Sequence, residues 1–116
     1  MARMSIRIDL DRDGRLGPGK VTLLERIAEC GSISAAGRAM GMSYRRAWQL
    51  VADLNASFAD PLVAARMGGR QGGGARLTAV GARLVAEYRA IEREAEAAVA
   101  PRLRALEAAA SKDRDR

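Results

Sequence analysis

A mainly α fold with a small β wing is predicted by three features of this sequence. Apolar residues recur at spacings of three and four between residues 18 and 58, in runs broken by Gly31 and by Gly41-Met42. Two short apolar segments then flank a glycine-rich stretch. Finally, a helical pattern runs from Thr78 to Ala100. With 116 residues, the chain has the size of one domain and can bury roughly two-thirds of its unfolded surface in a modest core.

Each element follows from local chemistry. Ile6, Ile8 and Leu10 alternate with Arg7 and Asp9, which predicts a half-buried strand over 5–10. Residues 11–19 carry Asp13-Gly14, Gly17 and Pro18 and read as turn and loop. Pro18 suits the first turn of a helix over 18–30. Val21, Leu24, Ile27 and Ala28 form its inward face, and Gly31 is placed to be its left-handed C-cap. Ser32 caps a short second helix ending at Met40, with Ile33, Ala36 and Met40 inward. Ser43 caps a third helix, whose buried stripe is Ala47, Leu50, Val51, Leu54 and Phe58. Asp60-Pro61 stops it.

Residues 62–66 predict a strand and 76–78 a return strand, with a loop over 67–75, where five of nine residues are glycine. The last helix spans 78–100. Pro101 is expected to break or kink it, and a short amphipathic piece should follow with Leu103 and Leu106 inward. Residues 111–116 are all polar and are expected to fray. The organisation is therefore a winged unit over 1–77, a long dimerisation helix over 78–110 kinked at Pro101, and a polar tail over 111–116.

Composition removes several function classes. There is no His and a single Cys, Cys30, so no usual zinc site, intrachain disulfide or Ser-His-Asp arrangement can be built in one chain. No metal site, cofactor or enzyme activity is expected. No apolar run approaches ~18 residues, so no membrane span is expected. Residues 1–13 lack the apolar segment of a signal peptide. A cytoplasmic domain is the expectation, with Cys30 as a buried structural thiol.

Charge is unevenly placed. The 20 basic and 14 acidic residues give a net +6. Residues 1–30 hold +1, residues 31–76 hold +4 and residues 77–116 hold +1. A basic segment between charge-balanced ones is what a phosphate-facing surface requires.

The basic segment holds two short helices separated by Gly41-Met42, with small residues Ala35, Ala36, Gly37 and Ala39 where they would cross. This describes a helix-turn-helix, and the strand, glycine stretch and strand describe a wing. The fold class is then a winged helix-turn-helix followed by a long helix. A helical hairpin that only packs would explain neither the wing nor the charge. In such a motif the N-terminal turns of the recognition helix enter the major groove of DNA. The outward residues there are Tyr44, Arg45, Arg46, Trp48 and Gln49. Arg can pair with guanine and Gln with adenine in bidentate fashion, and Tyr44 can meet a phosphate or a thymine methyl. Two arginines opening a helix are unfavourable unless a phosphate lies nearby. For Trp48, packing against the wing or first helix stays open beside a DNA contact. Ser32, Ser34 and Ser43 sit at helix starts, where capping and phosphate contact can coexist. Arg66, Arg70 and Arg76 bracket the wing glycines and are placed for phosphates. A nucleotide-binding loop is disfavoured, because the stretch lacks both a Gly-Lys-Ser/Thr ending and a G-x-G-x-x-G spacing.

The run Gly31-Ser32-Ile33-Ser34-Ala35-Ala36-Gly37, then Gly41-Met42-Ser43-Tyr44, Ala47-Trp48 and the wing Gly68 to Thr78 followed by Gly81, resembles the N-terminal winged helix of ModE-type molybdate-responsive regulators. More loosely it is similar to LysR-type DNA-binding domains. The likeness covers roughly residues 5–92. It implies a dimeric bacterial transcription regulator whose DNA contacts map onto Tyr44, Arg45, Arg46 and the wing. Full-length members carry a molybdate-binding domain after the long helix, and nothing before Arg116 resembles it. The chain is then expected to be either a single-domain member or a fragment, the polar tail favouring the former, and molybdate sensing does not carry over.

The resulting expectation is a sequence-specific regulator that binds double-stranded DNA as a homodimer on an inverted-repeat operator. A protein-interaction module or a non-specific architectural DNA-binding protein are the alternatives. The dimer seam would be Leu84, Tyr88, Ile91, Ala95 and Ala98, which with Gly81 follow the 3-4 spacing of a coiled coil.

Overall fold

The computed structural model describes residues 2–11, 14–69 and 72–110, with backbone alone at 67–69 and 72–73. Strand β1 (Ile8–Asp9) pairs antiparallel with β2 (Arg15–Leu16). Three helices follow: α1 (Pro18–Cys30), α2 (Ile33–Ala39) and α3 (Tyr44–Ser57). The hairpin of β3 (Val63–Gly69) and β4 (Gly72–Leu77) leads into α4 (Ala79–Ala110).

The helix boundaries come from the capping chemistry. Pro18 opens α1, and Gly31 closes it at φ 76°, its N–H donating to the Ile27 carbonyl at 2.9 Å. The Ser32 hydroxyl accepts from the Ala35 N–H at 3.0 Å, and the Ser43 hydroxyl accepts from the Arg46 N–H at 3.1 Å. Both serines therefore fix where their helices begin. Thr78 does the same for α4, accepting from the Gly81 N–H at 3.0 Å while its hydroxyl donates to the Pro61 carbonyl at 2.7 Å.

One core joins the helices to the wing. Val21, Leu23, Leu24 and Ile27 of α1 pack with Ile33 and Ala36 of α2 and with Ala47, Val51 and Leu54 of α3. Leu16, Leu62, Val63, Ala75 and Tyr88 complete the cluster. At the crossing of α2 and α3, a Cβ on Gly37 would come within 2.9 Å of the Ala47 Cβ, so the glycine sets how closely the two helices approach.

Several expectations need correction. The ladder of β1 is two residues long, and its partner β2 lies in the segment expected to be loop. The alternation itself extends further. Ala2, Met4, Ile6 and Ile8 are half-buried between exposed Arg3, Ser5, Arg7 and Asp9, alongside α4 rather than in a longer sheet. The Tyr88 hydroxyl donates to the Ile6 carbonyl at 2.6 Å, and the Ala2 N–H donates to the Glu107 carboxylate. The wing strands reach into the glycine stretch, to Gly69 and from Gly72, because an antiparallel ladder is made by backbone groups that glycine also has.

Helix α4 continues through Pro101 to Ala110 instead of breaking there. The carbonyl that Pro101 leaves without its helical N–H partner belongs to Ala97, an exposed residue. Leu106 is 66% exposed, not inward. Ala28 and Cys30 are also exposed, and Leu23 is buried instead. Tyr88, expected in a seam between chains, is 1% exposed and belongs to the chain's own core. The polar tail lies outside the described residues.

Candidate nucleic-acid interface

Helix α3 divides cleanly by exposure. Ala47, Val51 and Leu54 are buried, while Tyr44, Arg45, Arg46, Trp48 and Gln49 are all exposed, Tyr44 at 62% and Trp48 at 46%. The buried stripe holds the helix down and leaves its first two turns presented to solvent. Tyr44 and Trp48, one turn apart, meet edge to face with ring centroids 6.0 Å apart. The Gln49 amide donates to Asp53 at 3.1 Å, so in the free protein this side chain is already engaged within the helix.

The wing is fixed to α3 by a residue the periodicity of the sequence passes over. Asn55 accepts from the Leu62 N–H at 2.9 Å and the Val63 N–H at 3.1 Å, and donates to the Val63 carbonyl at 3.1 Å. A polar residue on the stripe of a helix is the only sequence signal that marks it. A second anchor ties β4 to the turn after α1: the Ala75 N–H donates to the Gly31 carbonyl at 2.9 Å.

These anchors create a groove of about 470 Å³ between the recognition helix and the wing. Ser32, Ile33, Ser34, Tyr44, Trp48, Val51 and Asn55 line one side, and Val63, Ala64, Ala65, Gly74 and Ala75 line the other. The fold thus brings Ser32, Ser34, Tyr44 and Trp48 together. Trp48 rims this groove and remains half exposed, so it is not consumed by packing. In the wing, the register Ala64↔Arg76 and Arg66↔Gly74 puts Arg66 and Arg76 on one face, opposite buried Val63 and Ala75. Both arginines are exposed, and the Arg66 guanidinium lies against Gly31 and Gly74, beside the start of α2. Arg70 lies outside the described residues.

Residues 19–82 match the family model described as bacterial regulatory helix-turn-helix protein, lysR family. The chain belongs to that family. Among curated relatives of this LysR-family chain, the molybdenum-pterin-binding protein MopB of Rhodobacter capsulatus is 50% identical over 84 residues, 72% of this chain and 31% of that protein. The molybdenum transport protein ModE of Azotobacter vinelandii is 42% identical over 99 residues, 85% of this chain and 36% of that protein. The DNA-binding transcriptional dual regulator ModE of Escherichia coli (strain K12) is 41% identical over 71 residues, 61% of this chain and 27% of that protein. The winged helix-turn-helix is thus of the ModE type. The chain spans about a third of the length of these relatives. The fold matches that in a crystal structure of a CbnR_DBD-DNA complex, with a TM-score of 0.56 and 23% identity over 76% of this chain and 94% of that one. Among the described residues, no helix is long and apolar enough to cross a membrane.

Proposed function

We propose that this LysR-family chain is a sequence-specific transcription regulator that binds duplex DNA as a two-fold homodimer on an inverted-repeat operator. The observation that carries the reading is the exposure of Tyr44, Arg45, Arg46, Trp48 and Gln49 on the opening turns of α3, beside a wing bearing Arg66 and Arg76. Arg45, Arg46 and Gln49 read base edges, with Gln49 exchanging Asp53 for a base. Arg66, Arg70 and Arg76 contact phosphates, and Ser32, Ser34 and Ser43 add polar contacts at the helix starts. The family's regulators and the segment charge of +4 over residues 31–76 support the same assignment.

Two copies meet along α4, through Leu84, Ile91, Ala95 and Ala98. Val80 and Ile91 are 41% and 42% exposed, which supports an apolar seam left for a second chain. Tyr88 lies beneath this seam and serves it by shaping α4 rather than by contact. The molybdenum in the names of the relatives belongs to those longer proteins; the proposal takes from them the DNA-binding role of the domain they share.

Selection from random duplex DNA tests the reading. It should yield one motif, arranged as two half-sites one or more helical turns apart. Arg45→Ala and Arg46→Ala should each weaken binding to that motif by about 1–3 kcal/mol and relax preference at one position. Wild-type affinity in both variants for the selected duplex, in titrations at fixed salt, would place base reading elsewhere.

A further inference from the structure

The groove between α3 and the wing offers contact of a particular kind. Its polar residues are largely committed inside the chain: Asn55 holds Leu62 and Val63, and the Ser32 hydroxyl caps α2. What faces outward at its rim is apolar, the rings of Tyr44 and Trp48 on α3 opposite Ala64 and Ala65 on β3. The two rings contact each other only edge to face, at 6.0 Å, and leave much of their surface in water. Beside this apolar rim stand exposed Arg45, Arg46 and Arg66, and these cations, in the segment of net +4, have a polyanion as their complement. The apolar feature that base edges present in the major groove is the 5-methyl group of thymine.

We infer that the Tyr44–Trp48 rim is a thymine-reading wall, with Trp48 as the residue that sets preference for the 5-methyl group. The inference rests on the duplex-DNA reading above and adds to it which base feature the aromatic pair selects. Trp48 packs its ring against the methyl, while the neighbouring arginines hold phosphates and purine edges. Burying one methyl group accounts for about a fourfold preference.

The test uses the full chain and the duplex obtained by selection. Each thymine is replaced in turn by deoxyuridine, which removes the methyl and keeps every hydrogen-bonding group. At one or two positions per half-site the replacement should weaken binding about fourfold. Trp48→Ala should bind the thymine and deoxyuridine duplexes equally, whereas Arg45→Ala should bind both more weakly and keep the fourfold ratio. Trp48→Phe, which keeps the apolar ring but loses the indole N–H, should retain a preference for thymine. Trp48 is the sole tryptophan, so its fluorescence should change on binding, and less with deoxyuridine at the contacted position. Thermal melts of the variants confirm folding, which the half-exposed position of Trp48 favours. Tight binding in which no deoxyuridine replacement matters, or a site without thymine, overturns the inference and leaves the DNA reading intact. Persistence of the thymine preference in Trp48→Ala overturns the role of Trp48. Failure to bind any duplex overturns both.

Discussion

Gly81 shows how one residue decides where an element can go. A Cβ there would overlap the Leu62 carbonyl oxygen, the same carbonyl that accepts from the Thr78 N–H at 2.9 Å. The start of α4 can therefore lie against the entry to the wing only without a side chain at this position. Gly81→Ala gains helix propensity but must push the helix off the strand, and overpacking of this kind costs about 1–3 kcal/mol. A lowered thermal midpoint is expected, and an unchanged one would mean that the contact yields freely. Cys30 makes the opposite point. It stands exposed at the end of α1 beside Gly31. A thiol reagent should label the native protein about as fast as the unfolded chain, and marked protection would contradict that exposure.

At the scale of elements, the contact between α1 and α4 is polar at its edge. Arg89 on α4 donates to the Glu25 carboxylate at 2.7 Å and to the Thr22 hydroxyl at 3.0 Å on α1, and to Glu92 at 2.8 Å on its own helix. The Arg89 hydrogen bond holds the Glu25 carboxyl below the usual carboxylate range. A carboxyl with a lowered folded-state pKa stabilises the fold at pH values above its unfolded pKa, and that contribution fades as pH falls through the lowered value. Arg89→Met should therefore destabilise the protein at pH 7, and the difference from wild type should shrink as pH drops below about 4. Urea titrations across pH 3–7 would check this, and a difference independent of pH would assign the loss to packing of the arginine stem instead.

The whole molecule measures 62 × 30 × 21 Å, with a radius of gyration of 17.6 Å, against about 13 Å for a compact chain of this length. The excess comes from α4, whose 32 residues extend about 48 Å, past the helix-turn-helix and along the extended N-terminal residues. Its inner face carries Leu84 beside an apolar cavity of about 350 Å³ that also includes Ile8, Leu10, Phe58, Val80 and Ile91. In the proposed dimer a second chain covers this surface. Leu84→Asp combined with Ile91→Asp should then give monomers and remove tight operator binding while leaving the helix-turn-helix folded. Sedimentation of the wild-type chain as a monomer at micromolar concentration, both free and on a single half-site, would rule out the dimer and the inverted repeat together.

The helix-turn-helix was legible in the sequence because its determinants are local. Gly31, Ser32 and Ser43 punctuate the helices through their own backbone and side-chain chemistry, and the 3–4 spacing of Ala47, Val51 and Leu54 marks the buried side of α3. That spacing also leaves Tyr44, Arg45, Arg46, Trp48 and Gln49 facing out, so the part of the candidate DNA surface on α3 follows from periodicity. Tertiary structure decided what depends on neighbours distant in the chain. Tyr88 falls on a helical stripe that suits a seam between chains, yet a partner 82 residues away, the Ile6 carbonyl, draws it into the core. Asn55 reads as a polar interruption until the wing supplies the backbone groups it binds. Pro101 would end a helix judged by its own residues, but on the exposed far end of α4 the unpaired carbonyl can be hydrated and the helix runs on. Caps and periodicity act within a turn or two, whereas burial depends on which surfaces the finished chain brings together.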